Sequence, residues 1–308
     1  MNDASPHPRA AHDLDGIVAV PATPFTADGQ LDVDSLRRYA RNALARGVVG
    51  FLAPAVAGEV EMLSESERES VVITLLEEAA GRVPVIGGAT DPDPVARLRH
   101  ARRFIELGCT GVLAYVRYED STSYAKALHE LGALNPGFLM IQDLDLGKAP
   151  LPVDLITRLH REIPRFTWIK VETGDRCRKI SAILDATGGS LRVGTAGPDM
   201  IELLDRGVQS YLITYSTGVY LRIWTLYRTG RRAEAIELYH RLLPCLAFMA
   251  THQSIQWHFT KALLHDEGLF TTTRVRKPIP ALDAVESALI ARLSRHALDL
   301  AASLPAQT

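Results

Sequence analysis

Phe166-Thr-Trp-Ile-Lys-Val-Glu-Thr-Gly-Asp175 reads as a short buried strand running into a turn, and it is the unit from which most of the chain is built. Phe166, Trp168 and Ile169 supply the apolar run, and Gly174 with Asp175 supplies the turn into a following helix. Working outward, the same pattern recurs upstream at Leu14–Pro21, Val48–Pro54, Val83–Gly87, Gly111–Val116 and Phe138–Ile141, and downstream at Leu191–Gly194 and Val208–Thr214. Helical patterns fill the intervals. Asp32 or Asp34 can cap the first, and Ser64 with Glu67 forms a capping box for the second. Others are read at Asp91–Leu107, Thr122–Leu131, Val153–Arg161 and Cys177–Ala186. Eight strand-then-helix units predict a parallel sheet, and eight is the number that closes a (β/α)8 TIM barrel. An open doubly wound sheet also alternates, but no Gly-x-Gly-x-x-Gly turn follows the first strand, so dinucleotide binding has no support.

Beyond Gly230 the strand pattern stops. Arg231–Ala250, Ser254–Asp266 and Ala284–Ser303 read as amphipathic helices, a C-terminal annex to the α/β barrel. The expected organisation is a disordered tail over 1–13, which carries two prolines and no apolar core, a barrel over 14–229, and a helical region over 230–308.

Lys+Arg 34 against Asp+Glu 36 gives a formal net charge of -2, so no global field recruits nucleic acid or an anionic membrane. Cys109, Cys177 and Cys245 are an odd, widely spaced set that fits free thiols in a cytoplasmic protein. No apolar run reaches the roughly 18 residues that a spanning helix needs. His252 and His258 lack zinc spacing and no acidic cluster suggests a divalent cation, so neither a metal nor another cofactor is expected.

Lys170 is the anomaly in the opening stretch, because an amine ends an apolar run. Desolvation disfavours the charged form, and neutral amine is the species that attacks a carbonyl. Lys170 therefore suggests Schiff-base catalysis, with the imine acting as electron sink. Taken alone, the stretch also fits a strand-end lysine whose head reaches solvent or pairs with Glu172. Glu172 could pair with Lys170, although successive strand side chains face opposite sides. Position favours chemistry, since catalytic groups of such barrels lie at the C-terminal ends of strands. Phe166, Trp168 and Lys170 are expected to share one face, with the indole beneath the amine.

Several pieces of the chain occur in an order and spacing that carry a further reading: Gly16 with Thr23-Pro-Phe25 and Asp28-Gly29; Gly58-Glu59 with Leu63-Ser64 and Glu67-Arg68; Pro84-Val-Ile86 before Gly88; Ile169-Lys170 with Gly174-Asp175; and Lys261-Ala-Leu-Leu264, Gly268 and Val275-Arg-Lys-Pro278. In these the chain resembles the dihydrodipicolinate synthase and N-acetylneuraminate lyase family of class I aldolases. The resemblance implies that Lys170 forms the imine, that the substrate is pyruvate or another 2-oxo acid, and that the assembly is a homotetramer or smaller homo-oligomer.

Departures from the family are concentrated around that lysine. Where members typically carry Gly-Thr-Thr-Gly-Glu, this chain has Ala55-Val56-Ala57-Gly58-Glu59, so only the backbone N–H groups of Val56 and Ala57 remain to bind a carboxylate or oxyanion. The usual Tyr-Asn of the fifth strand is matched by Ile141 and Gln142. The synthases' arginine would fall near Leu146, where Lys148 is the nearest cation. Lysine-pathway synthase activity is therefore not expected. Gln142 is read as a substrate hydrogen-bonder and Tyr118 as a replacement acid/base, with Asp143, Tyr115 and Tyr215 also within the region; Val56, Ala57, Ile141, Gly194 and Thr195 are read as substrate contacts. Glu59 is expected to hold the loop after the second strand. Two functions follow: a Schiff-base lyase acting on a small carbonyl compound, or a catalytically silent barrel that binds a ligand.

Overall fold

The computed structural model describes residues 13–144 and 150–305, so the predicted tail up to residue 12, Leu146 and Lys148 lie outside the described residues. Eight parallel strands close a barrel: β1 (Gly16–Ala19), β2 (Gly50–Ala53), β3 (Val85–Gly88), β4 (Gly111–Tyr115), β5 (Phe138–Leu144), β6 (Phe166–Glu172), β7 (Arg192–Thr195) and β8 (Ser210–Ile213). Closure is made by β1 on β8, from Gly16 opposite Ser210 to Ala19 opposite Ile213. Each strand feeds a helix: α1 (Val33–Arg46), α2 (Glu65–Ala79), α3 (Pro94–Leu107), α4 (Ser121–Ala133), α5 (Val153–Glu162), α6 (Arg176–Thr187), α7 (Met200–Asp205) and α8 (Thr217–Arg228). The annex is α9 (Arg232–Met249), α10 (Gln253–Asp266) and α11 (Ala284–Ala302).

Local chemistry sets the helix ends. Asp32 rather than Asp34 caps α1, its carboxylate accepting from Ser35 N at 2.9 Å, and Gly47 ends the helix at φ 94, where a side chain would be strained. The capping box of Ser64 and Glu67 is formed in both directions at α2.

Strand alternation sorts the apolar residues into two layers. Val18, Leu52, Ile86, Leu113, Met140, Trp168 and Leu212 fill the barrel interior. Ile17, Phe51, Val85, Val112, Ile141, Ile169 and Val193 face the helices. Full burial of such side chains is worth about 1.5–3 kcal/mol each. The interior is thus an apolar plug, and polar chemistry is confined to its rim.

One irregularity decides what β6 presents there. Leu139 and Met140 are consecutive on β5, but their partners on β6 are Phe166 and Trp168, so Thr167 is an extra residue. Phe166 consequently packs in the helix-facing layer, edge-on to His160 of α5, while Trp168 stays inside. The expected shared face of Phe166, Trp168 and Lys170 is corrected to Trp168, Lys170 and Glu172.

The C-terminal segment is locked onto the loop after β2. Glu59, fully buried and at φ 58, ion-pairs with Lys261 of α10 at 2.6 Å and accepts from Arg276 N at 2.8 Å and Lys277 N at 2.7 Å. Lys261 also donates to the Arg274 carbonyl at 2.7 Å. Arg276 forks onto Glu67 at 2.7 and 2.8 Å and stacks over Phe25. Glu59 is therefore a structural tie, as its sequence context suggested.

Candidate active site

β5, β6 and β7 set Gln142, Lys170 and Gly194 side by side in the ladder at the C-terminal rim. A Cβ at Gly194 would meet Leu212 Cδ1 at 2.9 Å, so the glycine leaves room for the end of that leucine. Lys170 stands above Trp168, its side chain 9% exposed, at one wall of a cavity of about 210 Å³. The other walls come from Val20, Ala57, the turn Ala196–Pro198, the end of β8 through Tyr215, and the annex residues Leu246, Met249 and Gln256.

Glu172 lies two residues beyond Lys170 and hence on the same face, and the pairing that the sequence allowed is formed. Its Oε2 accepts from Lys170 Nζ at 2.9 Å and from Gln142 Nε2 at 2.7 Å. It is the one carboxylate among the described residues lining the cavity. Tyr211, Tyr215 and Tyr220 also line it. Burial, reinforced at Tyr211 and Tyr215 by the neighbouring phenols, pushes all three well above the usual tyrosine range. Tyr215 and Tyr220 share a hydrogen bond at 3.3 Å, and Tyr211 donates to the Gly197 carbonyl. These phenols form a protonated, hydrogen-bonding wall.

The remaining sequence candidates are spread more widely. Ala57 reaches the cavity, whereas Val56, half-buried on the same short turn, does not. Gln142 is buried at the site, but its amide holds Glu172. Ile141 pairs with Ile169 and packs in the helix-facing layer, so the residue of β5 beside Lys170 is Gln142. Thr195 is buried behind the site, donating to the Val171 carbonyl at 2.6 Å. Tyr118 shares a hydrogen bond with Ser121 at 3.2 Å, lies edge-on to Tyr124, and is not among the cavity-lining residues. Asp143 points to the outer layer and pairs with Lys179 of α6 at 2.5 Å; burial raises its pKa against the pull of that lysine. Among the described residues no cluster of three or more His, Cys, Asp or Glu side chains is placed to hold a metal.

Sequence reasoning missed Leu246, Met249 and Gln256. Nothing in a helical pattern separates a residue that closes a distant cavity from one that packs a neighbour. Glu172 was legible by its spacing of two from Lys170.

The pattern of the dihydrodipicolinate synthetase family matches residues 13–295. The chain belongs to that family. Among its relatives, an L-2-keto-3-deoxyarabonate dehydratase of Azospirillum brasilense is 25% identical over 300 residues, covering 91% of this chain and 94% of that one. A 4-hydroxy-tetrahydrodipicolinate synthase of Sodalis glossinidius is 28% identical over 288 residues, covering 89% and 96%. Solved structures of the same fold include a dihydrodipicolinate synthase from Rhodopseudomonas palustris, with TM-score 0.85 at 21% identity over 92% of this chain and 98% of that one. As a member of the dihydrodipicolinate synthetase family the chain is a lyase of the aldolase and dehydratase type.

Proposed function

We propose that the protein is a Schiff-base lyase in which Lys170 forms an imine with a 2-oxo acid or related small carbonyl compound. A carbon–carbon bond beside the imine is then cleaved or formed, or water is lost there. The observation that carries this is the placement of Lys170: a nearly buried amine at the C-terminal end of a barrel strand, facing a cavity and touching a carboxylate. The dehydratase and synthase among the relatives bracket the reaction type. Backbone N–H groups at the Val56–Gly58 turn are the proposed seat of the substrate carboxylate, since Ala57 is in the cavity wall and no arginine is among its described lining residues.

Val56 and Ala57 in place of the threonine pair, and Ile141-Gln142 in place of Tyr-Asn, argue against a true 4-hydroxy-tetrahydrodipicolinate synthase. The apolar share of the wall, including Val20, Leu212, Leu246 and Met249, favours a substrate larger or less polar than pyruvate. Borohydride reduction in the presence of a library of 2-oxo acids and aldehydes, followed by peptide mass spectrometry, tests the reading. It expects added mass at Lys170, and a library that leaves Lys170 unmodified overturns it. Pyruvate emerging as the tightest ligand by calorimetry would contradict the substrate class. A cytoplasmic homo-oligomer, tetramer or dimer, is proposed as well. The free thiols of Cys109, Cys177 and Cys245 suit the compartment, and light scattering that returns a single 33.8 kDa chain would refute the assembly.

A further inference from the structure

We propose that Glu172 is the proton carrier for imine chemistry at Lys170, with Gln142 as its positioning residue. The inference rests on the Schiff-base reading of Lys170. Three observations support it. Glu172 touches the reacting nitrogen at 2.9 Å, within reach for direct proton transfer. It stands on the open side of the amine, its side chain 20% exposed against 9% for Lys170, so a proton taken from nitrogen has a route to the cavity. Gln142 donates at 2.7 Å to the same oxygen that receives the lysine, which fixes the carboxylate's rotamer toward the nitrogen. The pairing with Lys179 in the outer layer removes Asp143, a carboxylate near the end of the neighbouring β5, from competition.

Imine formation then balances on one carboxylate. Oε2 takes a proton from the Lys170 ammonium, and the free amine adds to the carbonyl carbon as the C=O π pair moves to oxygen. Glu172 returns its proton to that oxygen and takes another from the tetravalent nitrogen. It gives this one to the hydroxyl as the C–O bond breaks and water leaves, while the nitrogen lone pair closes the C=N bond. One ammonium and one carbonyl compound become one iminium and one water, with Glu172 ionised again. From there the carboxylate is placed to take a proton from the carbon next to the iminium carbon, the C–H pair forming the enamine double bond as the C=N π pair moves to nitrogen.

The test is the rate at which borohydride-trappable adduct appears on Lys170 in the full-length protein, with pyruvate and phenylpyruvate as probes. Glu172→Gln is expected to slow adduct formation by about 10²- to 10⁴-fold, the range for a positioned acid/base. Gln142→Leu is expected to slow it less, acting on the rate constant and leaving the saturating concentration of probe near that of the wild type. Added formate is expected to restore part of the rate to Glu172→Ala, a response that a general folding defect does not give. Adduct formation by Glu172→Gln at the wild-type rate overturns the inference and leaves the imine reading standing. A wild type that traps neither these probes nor the wider library overturns both.

Discussion

Two of the lysine–glutamate pairs in the molecule have the same chemistry and opposite surroundings. Lys261 and Glu59 meet at 2.6 Å with side chains 1% and 0% exposed, and Lys170 and Glu172 meet at 2.9 Å with 9% and 20%. At the first pair the carboxylate accepts two backbone N–H groups, and the lysine also donates to a backbone carbonyl and lies over the Phe25 ring. At the second, the partners beyond the pair are one amide side chain and an open cavity. A desolvated charge pair enclosed by fixed protein partners is a tie. One that leaves an open side is free to exchange a proton with whatever enters.

The sharpest way to separate the pairs is to remove each lysine. Lys170→Ala is expected to abolish turnover and the borohydride adduct while leaving the cooperative unfolding curve close to that of the wild type. Lost cooperativity would show that this pair, too, is a tie. Lys261→Met should do the reverse, costing about 3–5 kcal/mol in denaturant unfolding because Glu59 stays buried without its counter-charge. A cost under about 1 kcal/mol, the size of a surface pair, would break the comparison.

A smaller effect lies in the pH dependence. Burial lowers the Lys261 pKa from its ordinary 10.5 to about 8, against the opposing pull of Glu59. Between those values the unfolded chain binds more protons than the folded one, so this group's contribution to stability rises with pH. Its cost is fully present below about 8 and is relieved toward 10.5. The stability difference between wild type and Lys261→Met should therefore widen across that window, and a flat difference would contradict the assignment. The smallest expected effect is at Tyr118, outside the described cavity lining. Tyr118→Phe should leave kcat within about twofold, as for substitutions away from special features, and a loss of ~100-fold would return Tyr118 to the acid/base role.

Much of this was legible in the sequence because it depends on local periodicity. The eight units, the Ser64–Glu67 capping box and the amine ending β6 are each patterns within a short window. What escaped depends on register. A one-residue shift on a strand reverses every side chain, so Ile141, read as a substrate contact, faces the helices, whereas Gln142 is the residue opposite Lys170. The cavity wall from α9 and α10 escaped for another reason. Leu246, Met249 and Gln256 are brought to β6 by tertiary packing across more than seventy residues of sequence, and no local pattern encodes that approach.

The extra residue at Thr167 gives β6 two halves with independent phase. Before it, Phe166 follows the parity of the helix-facing layer; after it, Trp168, Lys170 and Glu172 keep the inward parity. The address of Lys170 is thus counted from the bulge and not from the start of the strand. Insertions or deletions in the α5–β6 connection can be absorbed ahead of Thr167 without turning Lys170 away from the cavity, whereas losing Thr167 itself would have to be compensated by a shift in the preceding residues.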